Sequence, residues 1–207
     1  MLHTRLNQIT ADAAALDECA AYIEREVRPA LEVRPGSLGI SVLEDRERGV
    51  LIFGSVWATS DEMSGSEDTE APLRGELARR AGGPVTVEDY QVPIYELFEQ
   101  QAPPVRGHAV RLTRIQVQPS QVDDAIEVVG EIAVPALTET PGFRDALLFA
   151  HPASGRLISE TVWRDPGARA AAPNVAAIIR AEVPDEAGSE IRAVEDYALV
   201  FSSVREP

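Results

Sequence analysis

Five short segments of this sequence occur twice, in the same order. Thr4-Arg5-Leu6 returns as Thr113-Arg114-Ile115, a shift of 109 residues. Pro29-Ala30-Leu31 returns as Pro135-Ala136-Leu137, and Pro35-Gly36 as Pro141-Gly142, both at 106. Ser55-Val56-Trp57 is echoed by Thr161-Val162-Trp163, again at 106, and Val87-Glu88-Asp89-Tyr90 recurs unchanged as Val194-Glu195-Asp196-Tyr197 at 107. A duplicated chain must be built from two copies of one supersecondary unit, here of ~100 residues each.

Each copy carries the same local signals. Residues 2–9 and 110–118 have strand character and lead into a helix. The helical stripe is Leu16, Ala20, Ile23, Val27 and Leu31 in the first copy, and Val122, Ile126, Val129, Ala133 and Leu137 in the second. Both follow the spacing that lines up one helix face. Thr10 or Asp12 can cap the first helix, and Ser120 with Asp123 makes a capping-box-like start to the second. Pro-Gly at 35–36 and 141–142 stops the helices. Paired strands follow near 37–44 and 50–57, and near 143–150 and 156–163, with connections short enough for hairpins. A second helical stretch and a closing strand with Val-Glu-Asp-Tyr complete each copy. Pro93 cannot donate a ladder hydrogen bond, which predicts an edge or a bulge there.

The order β-α-β-β-α-β predicts an α+β chain of two tandem ferredoxin-like units, each an antiparallel sheet with both helices on one face. The first copy spans 1–97, a linker containing Gln-Gln-Ala-Pro-Pro spans 98–108, and the second copy spans 109–207. Such a sheet keeps an open apolar face. Two copies stacking those faces form an intrachain barrel, so the chain can be a monomer, with a homodimer left open.

Charge narrows the partners. With 34 acidic against 19 basic residues the net charge is −15, which repels phosphate backbones and argues against nucleic acid. No apolar run reaches the ~18 residues of a membrane span, and no signal-peptide core precedes the first strand; a cytoplasmic location is expected. Cys19 is the single cysteine, expected as a small buried hydrophobe in a helix. His3, His108 and His151 fall in a strand, the linker and a turn, without metal-ligand spacing or a neighbouring nucleophile, so no metal site is expected. No glycine-rich phosphate loop follows a strand, and no cofactor is indicated. The acidic run from Asp61 to Glu70 reads as a solvated loop or a poorly formed helix start.

Pro-Ala-Leu-Thr-Glu-Thr-Pro-Gly-Phe at 135–143, followed by a hairpin ending in Thr-Val-Trp-Arg-Asp at 161–165, resembles the dimeric α+β barrel superfamily, and within it the antibiotic-biosynthesis-monooxygenase-like domains. The resemblance spans both copies and is clearer in the second. It implies a monooxygenase-like protein that takes a small aromatic or polyketide-like molecule in the barrel. If the protein is an enzyme, the resemblance implies a cofactor-independent monooxygenase or isomerase. The alternatives are non-catalytic small-molecule binding, or a stress-related structural protein with a filled barrel. The superfamily's haem degraders carry a histidine in the helix after the Trp strand and an asparagine on the first strand. Here that helix lacks histidine in both copies; Thr4 and Thr113 stand at the expected asparagine position, with Asn7 out of place. Haem degradation is disfavoured.

The candidate substrate-binding residues come in pairs. Trp57 shares a strand face with Ser55 and Phe53, and Trp163 with Thr161 and Ser159. The opposite face, with Ile52 and Val56 or Ile158 and Val162, is expected to be the helix-covered core, which leaves the Trp face for the barrel interior. Aromatic walls with hydroxyls suit a small planar ligand there; the competing reading is that both indoles only pack the core. Arg5 and Arg114, taken as equivalent, can meet an anionic oxygen or pair with carboxylates. Tyr90 and Tyr197 are expected to be structural, and Trp163 is the stronger ligand candidate of the two tryptophans.

Overall fold

The computed structural model describes residues 1–97, 106–172 and 190–205. The first copy runs β1 (Leu2–Thr10), α1 (Ala13–Tyr22), α2 (Arg28–Glu32), β2 (Ser37–Asp45), β3 (Val50–Trp57), α3 (Ser60–Gly65), α4 (Glu67–Ala81) and β4 (Thr86–Leu97). The second runs β5 (Ala109–Gln116), α5 (Val122–Val128), α6 (Val134–Thr138), β6 (Phe143–His151), β7 (Arg156–Trp163), α7 (Pro166–Ala171) and β8 (Glu190–Ser202). The linker expected at 98–108 and the second helical stretch of copy two fall largely outside the described residues.

A π-helical segment joins α1 to α2 at Ile23–Val27 and α5 to α6 at Val129–Ala133, 106 residues apart. The prolines explain its place. Pro29 and Pro135 have no N–H, and their rings would strike the carbonyl four residues back. Widening the preceding turn, with Arg28 N–H donating to Ile23 O and Val134 N–H to Val129 O, lets the helix continue past them. Leu16, Ile23, Val27 and Leu31 therefore stay on one buried face, with Cys19 among them. Asp12 caps α1 by accepting from Ala15 N–H at 2.9 Å. The expected Ser120 cap does not form; a 3-10 turn at Pro119–Gln121 starts that helix instead.

Both hairpins form as expected, and matching glycines turn them. Gly49 (φ 67°) and Gly155 (φ 71°) accept from Ala11 N–H and Val117 N–H, each at 2.9 Å. A Cβ at either would strike the carbonyl of Ala11 or Val117. Pro93 lies where the β4–β6 register shifts, between Gln91 and Ile94. Of the two expectations for the acidic run, the helical one holds: apart from Ser66 between them, its residues belong to α3 and α4, with Thr59 accepting from Glu62 N–H as the cap.

Strand register corrects one repeat match. On β1, His3 faces Trp57 and Arg5 faces Ser55; on β5, Ala109 faces Trp163 and Arg111 faces Thr161. The copies therefore align at 106 from their first strands onward. Arg5 corresponds to Arg111, Asn7 to Thr113 and Gln8 to Arg114. The match at 109 is a local coincidence, and its offset of three residues, being odd, places Arg114 on the wrong face.

Hydrogen bonding follows the order β1-β3-β2-β8-β5-β7-β6-β4 and closes as a barrel of eight strands. Contacts divide the chain into two compact units. One contains Met1–Tyr90 and the chain from Ala198; the other contains the segment from Gln91 and Gly107–Tyr197. The long strands β4 and β8 thus give one end to each unit. Each unit has its own core: Leu16, Ile23, Leu31, Ile40, Val42, Leu51 and Phe53 among others in the first, and Val122, Val129, Leu137, Leu148, Leu157 and Trp163 among others in the second. No helix among the described residues is long and apolar enough to cross a membrane.

Candidate functional site

Helix-core membership decides which strand face is covered. Ile9, Leu51 and Phe53 pack against α1 and α2, and by alternation Arg5, Asn7, Ser55 and Trp57 share their face. In the second unit Ile115, Leu157 and Trp163 pack with α5 and α6, and Arg111, Thr113, Ser159 and Thr161 share that face. Both tryptophans therefore lie under the helices. This reverses the expectation that Ile52, Val56, Ile158 and Val162 would be helix-covered; those residues occupy the face turned from the helices.

The tryptophans are fully buried, and their donors are satisfied locally. Trp57 Nε1–H donates to Ser55 Oγ and Trp163 Nε1–H to Thr161 Oγ1, both at 3.0 Å. Phe143 meets Trp163 edge-on with centroids 5.1 Å apart. Ser55 and Thr161 thus fix the indoles through a two-residue bridge.

Arg5 is buried at the centre of an ionic network. It donates from Nε and Nη2 to the two oxygens of Asp89 at 2.8 and 2.9 Å, and from Nη1 to Glu67 at 2.8 Å, with Glu70 at 3.6 Å. Arg74 pairs with Glu67 and, at 3.2 Å, with Glu70. The bidentate bond to Asp89, reinforced by the surrounding carboxylates, holds Arg5 more firmly protonated than usual. Three carboxylates, Asp89, Glu67 and Glu70, face two guanidiniums, those of Arg5 and Arg74. Ser66 Oγ lies 2.7 Å from Met63 O and 2.8 Å from Glu70 Oε1, so its one hydrogen is shared between two acceptors. Burial raises the Glu70 carboxyl above its ordinary range, against the opposing pull of Ser66, Arg5 and Arg74.

Arg111 repeats the core of this arrangement, donating to Asp196 at 2.9 and 3.2 Å, with Arg169 also on Asp196 at 3.3 Å. Arg114 does not join it. It lies opposite Ile158 on the face turned from the helices and donates to Glu195 at 2.9 Å. Of the six sequence-selected residues, Arg5, Ser55 and Trp57 come together in the first unit and Thr161 and Trp163 in the second. Arg114 is replaced at its expected place by Arg111.

The group missed by sequence reasoning is Asn7. It has no exposed surface, and neither Nδ2 nor Oδ1 has a hydrogen-bond partner. It shares the helix-covered face with Arg5 and stands opposite Phe53. A buried amide left without partners costs roughly 1–3 kcal/mol per unmet group. Asp89 was legible as a partner for Arg5, because the repeat duplicates both the arginine and the aspartate. Nothing in the sequence marked Asn7 as unpaired.

No protein-family model matches the chain. An uncharacterised protein of Mycobacterium tuberculosis strain H37Rv is 29% identical over 208 residues, spanning 100% of this chain and 87% of its own. Among solved structures, a candidate monooxygenase from Fusobacterium nucleatum aligns with a TM-score of 0.71 at 13% identity, over 97% of this chain and 93% of that one. An anthrone oxidase-like protein aligns at 0.66 and 18% identity, over 97% and 92%. The chain shares the fold of these structures, a closed eight-stranded α+β barrel. Two fused ferredoxin-like units supply its eight strands. The three histidines are His3 on β1, His108 before β5 and His151 ending β6, and the segment from Ser60 to Ala81 contains none.

Proposed function

We propose that this protein binds a small aromatic or polyketide-like molecule against Asn7, on the helix-covered face of the first unit, and oxygenates it without a cofactor. The observation that carries this reading is the fully buried Asn7 amide with both polar atoms unmet. An amide offers one donor edge and one acceptor edge, which complements a ligand bearing a hydroxyl beside a carbonyl. The likeness to an anthrone oxidase-like protein supports the same ligand class. In such a reaction a ring methylene becomes a carbonyl: one oxygen atom of O2 enters the product, the other leaves as water with the two methylene hydrogens, and the substrate supplies all four electrons. The protein's part is to hold the substrate and stabilise the anion formed when it loses a proton. Asn7 Nδ2–H would donate to that oxygen, and the fixed charge of Arg5 stands two residues along the strand.

The tryptophans support a reporting role more than a contacting one, since each indole N–H is already bonded. Trp57 is four residues along β3 from the partner of Asn7, ~13 Å by strand rise. In a Trp163→Phe background Trp57 is the single indole. Titration of that protein with anthrone, naphthols and phenols should quench Trp57 saturably, and Asn7→Leu should weaken the tightest ligand at least tenfold. Unchanged affinity in Asn7→Leu would sink the assignment, as would the absence of quenching by every compound. Oxygen uptake with the tightest ligand then reports turnover.

A further inference from the structure

Oxygenation beside Asn7 needs a base to take the substrate's proton. Two glutamates among the described residues are buried, Glu160 of β7 and Glu70 of α4. Burial and the neighbouring Asp145 push the Glu160 carboxyl up to about 7, but Glu160 belongs to the second unit, on the face turned from the helices. Glu70 lies on the side that carries Asn7. Its carboxylate is 3.6 Å from Arg5 Nη1, and Arg5 stands two residues from Asn7 on the helix-covered face of β1. One end of α4 is thus held over Arg5. Two turns on, Leu77 packs in the first unit's core with Ile9 and Leu51. Glu70 to Leu77 is a rise of ~10 Å along a helix, and Arg5 to Ile9 is ~13 Å along a strand. α4, which packs directly on β1, therefore crosses the stretch whose middle helix-covered residue is Asn7. Glu70 is the carboxylate at the Arg5 end of that stretch.

We propose that Glu70 is the general base of the Asn7 site, taking a proton from the ring methylene of an anthrone-type substrate and returning it to the bound peroxide. The role rests on the ligand proposed for Asn7: the unmet amide is the sign of a ligand, and Glu70 is the buried carboxylate beside it. In an anthrone the carbonyl and the methylene lie across one six-membered ring. A donor for the oxygen and a base for the carbon must then stand on either side of that ring, and two residues of strand, ~7 Å, separate Asn7 from Arg5, over which Glu70 is held. Asp89 and Glu67 fit the role less well, since their side chains are 43% and 50% exposed against 1% for Glu70. Glu70 Oε1 accepts from Ser66 and Oε2 from Arg74, which leaves a lone pair for the proton. Charge favours the transfer too, because one added proton neutralises a group of three carboxylates and two guanidiniums. As the C–H bond breaks, its electron pair enters the ring as an enolate whose oxygen accepts from Asn7 Nδ2–H, and Glu70 holds the proton. O2 takes one electron from the enolate and recombines with the ring carbon, and protonated Glu70 gives its proton to the peroxide anion. Loss of water, which carries off the second methylene hydrogen, leaves the carbonyl and restores the Glu70 carboxylate.

The groups facing Glu70 are Ser66, Glu67 and Arg74 from its own segment and Arg5 from β1, with Asp89 of β4 beyond Arg5. Burial outweighs them and raises its carboxyl. The base acts only when ionised, so turnover should decline towards acid pH, with a midpoint above the ordinary carboxylate range. The test uses the full chain and anthrone. Mixed without oxygen, wild-type protein should develop the red-shifted absorption of the enolate, more slowly with methylene-deuterated anthrone, and admitting oxygen should discharge it. In the Trp163→Phe background, Glu70→Gln should still show anthrone quenching of Trp57. Its enolate formation and oxygen uptake should fall about a hundredfold or more, and the acid decline should vanish. Glu70→Asp, which keeps the acid, should recover part of the rate and the decline. Enolate formation by Glu70→Gln at the wild-type rate overturns the role and leaves the Asn7 ligand standing, as does wild-type protein that binds anthrone without forming enolate. If Glu70→Gln does not fold, Glu70→Asp with an unchanged rate and an unshifted decline overturns it equally. Failure of wild-type protein to bind anthrone, or equal binding by Asn7→Leu, overturns the Asn7 ligand and the role of Glu70 with it.

Discussion

Arg5 and Arg111 stand at matching places on β1 and β5, and each grips an aspartate of a closing strand, yet their surroundings differ. The Arg5 side chain is 7% exposed and is tied to Glu67 and Glu70 as well as Asp89; that of Arg111 is 21% exposed and shares Asp196 with Arg169. Two residues along, the first unit has the unpaired amide of Asn7 where the second has Thr113. Across from that point the first has Phe53 and the second Ser159. On the opposite face the contrast inverts. Gly39 and Gly54 of the first unit correspond to the buried Asp145 and Glu160 of the second. Duplication supplied one scaffold twice, and buried polar groups without a counterpart in the other copy lie on opposite faces of the two. Such groups reduce stability, so each is a place where stability has yielded to something else.

The largest expected difference is between the arginines. Arg5→Met should cost about 3–5 kcal/mol in urea unfolding, because it leaves buried Glu70 and its neighbours without their central cation. Arg111→Met should cost about 1 kcal/mol, in keeping with a more exposed guanidinium whose carboxylate partner Asp196 is itself exposed. Equal losses would remove the distinction between the two networks.

Glu160 provides the next test. A carboxyl whose folded pKa is raised holds its proton better in the native state, so stability is full below the unfolded value and declines as pH rises through the folded one. Between pH ~4.5 and 7, wild-type stability should therefore fall relative to Glu160→Gln by about 3 kcal/mol, flattening above. Parallel curves for the two proteins across that window would contradict the burial argument.

The tryptophans should behave alike, since both are buried and both donate to a hydroxyl two residues back. Trp57→Phe and Trp163→Phe should each cost about 2 kcal/mol, from lost packing and a hydroxyl left without its indole partner. A loss at one site alone would show that the copies diverge in packing as well as in charge.

The smallest effect has the opposite sign. Asn7→Leu should stabilise the protein by about 1 kcal/mol, by replacing two unmet polar groups with apolar surface, while Thr113→Val in the second unit should change it little. Destabilisation by Asn7→Leu would mean that the amide is satisfied in solution, and the case for a ligand there would weaken.

The chain's repeat, its alternation and its punctuation by Pro-Gly determine a great deal without coordinates. They specify two β-α-β-β-α-β copies, the hairpins, the buried helix stripe with Cys19, and the bulge at Pro93. These are local matters, decided within a few residues by steric and hydrogen-bonding rules. Thr4-Arg5-Leu6 shows where such reading stops. Three similar residues at 109 looked like a repeat, and only the pairing of His3 with Trp57 and Ala109 with Trp163 fixed the register at 106. Period-two alternation correctly grouped Trp57 with Phe53, but a strand has two faces that alternate identically. Which of them the helices cover depends on packing between segments far apart in sequence. The same is true of Asn7 and Glu160. Their types can be read from the sequence, but being buried without a partner is a property of everything around them, and tertiary structure alone decides that.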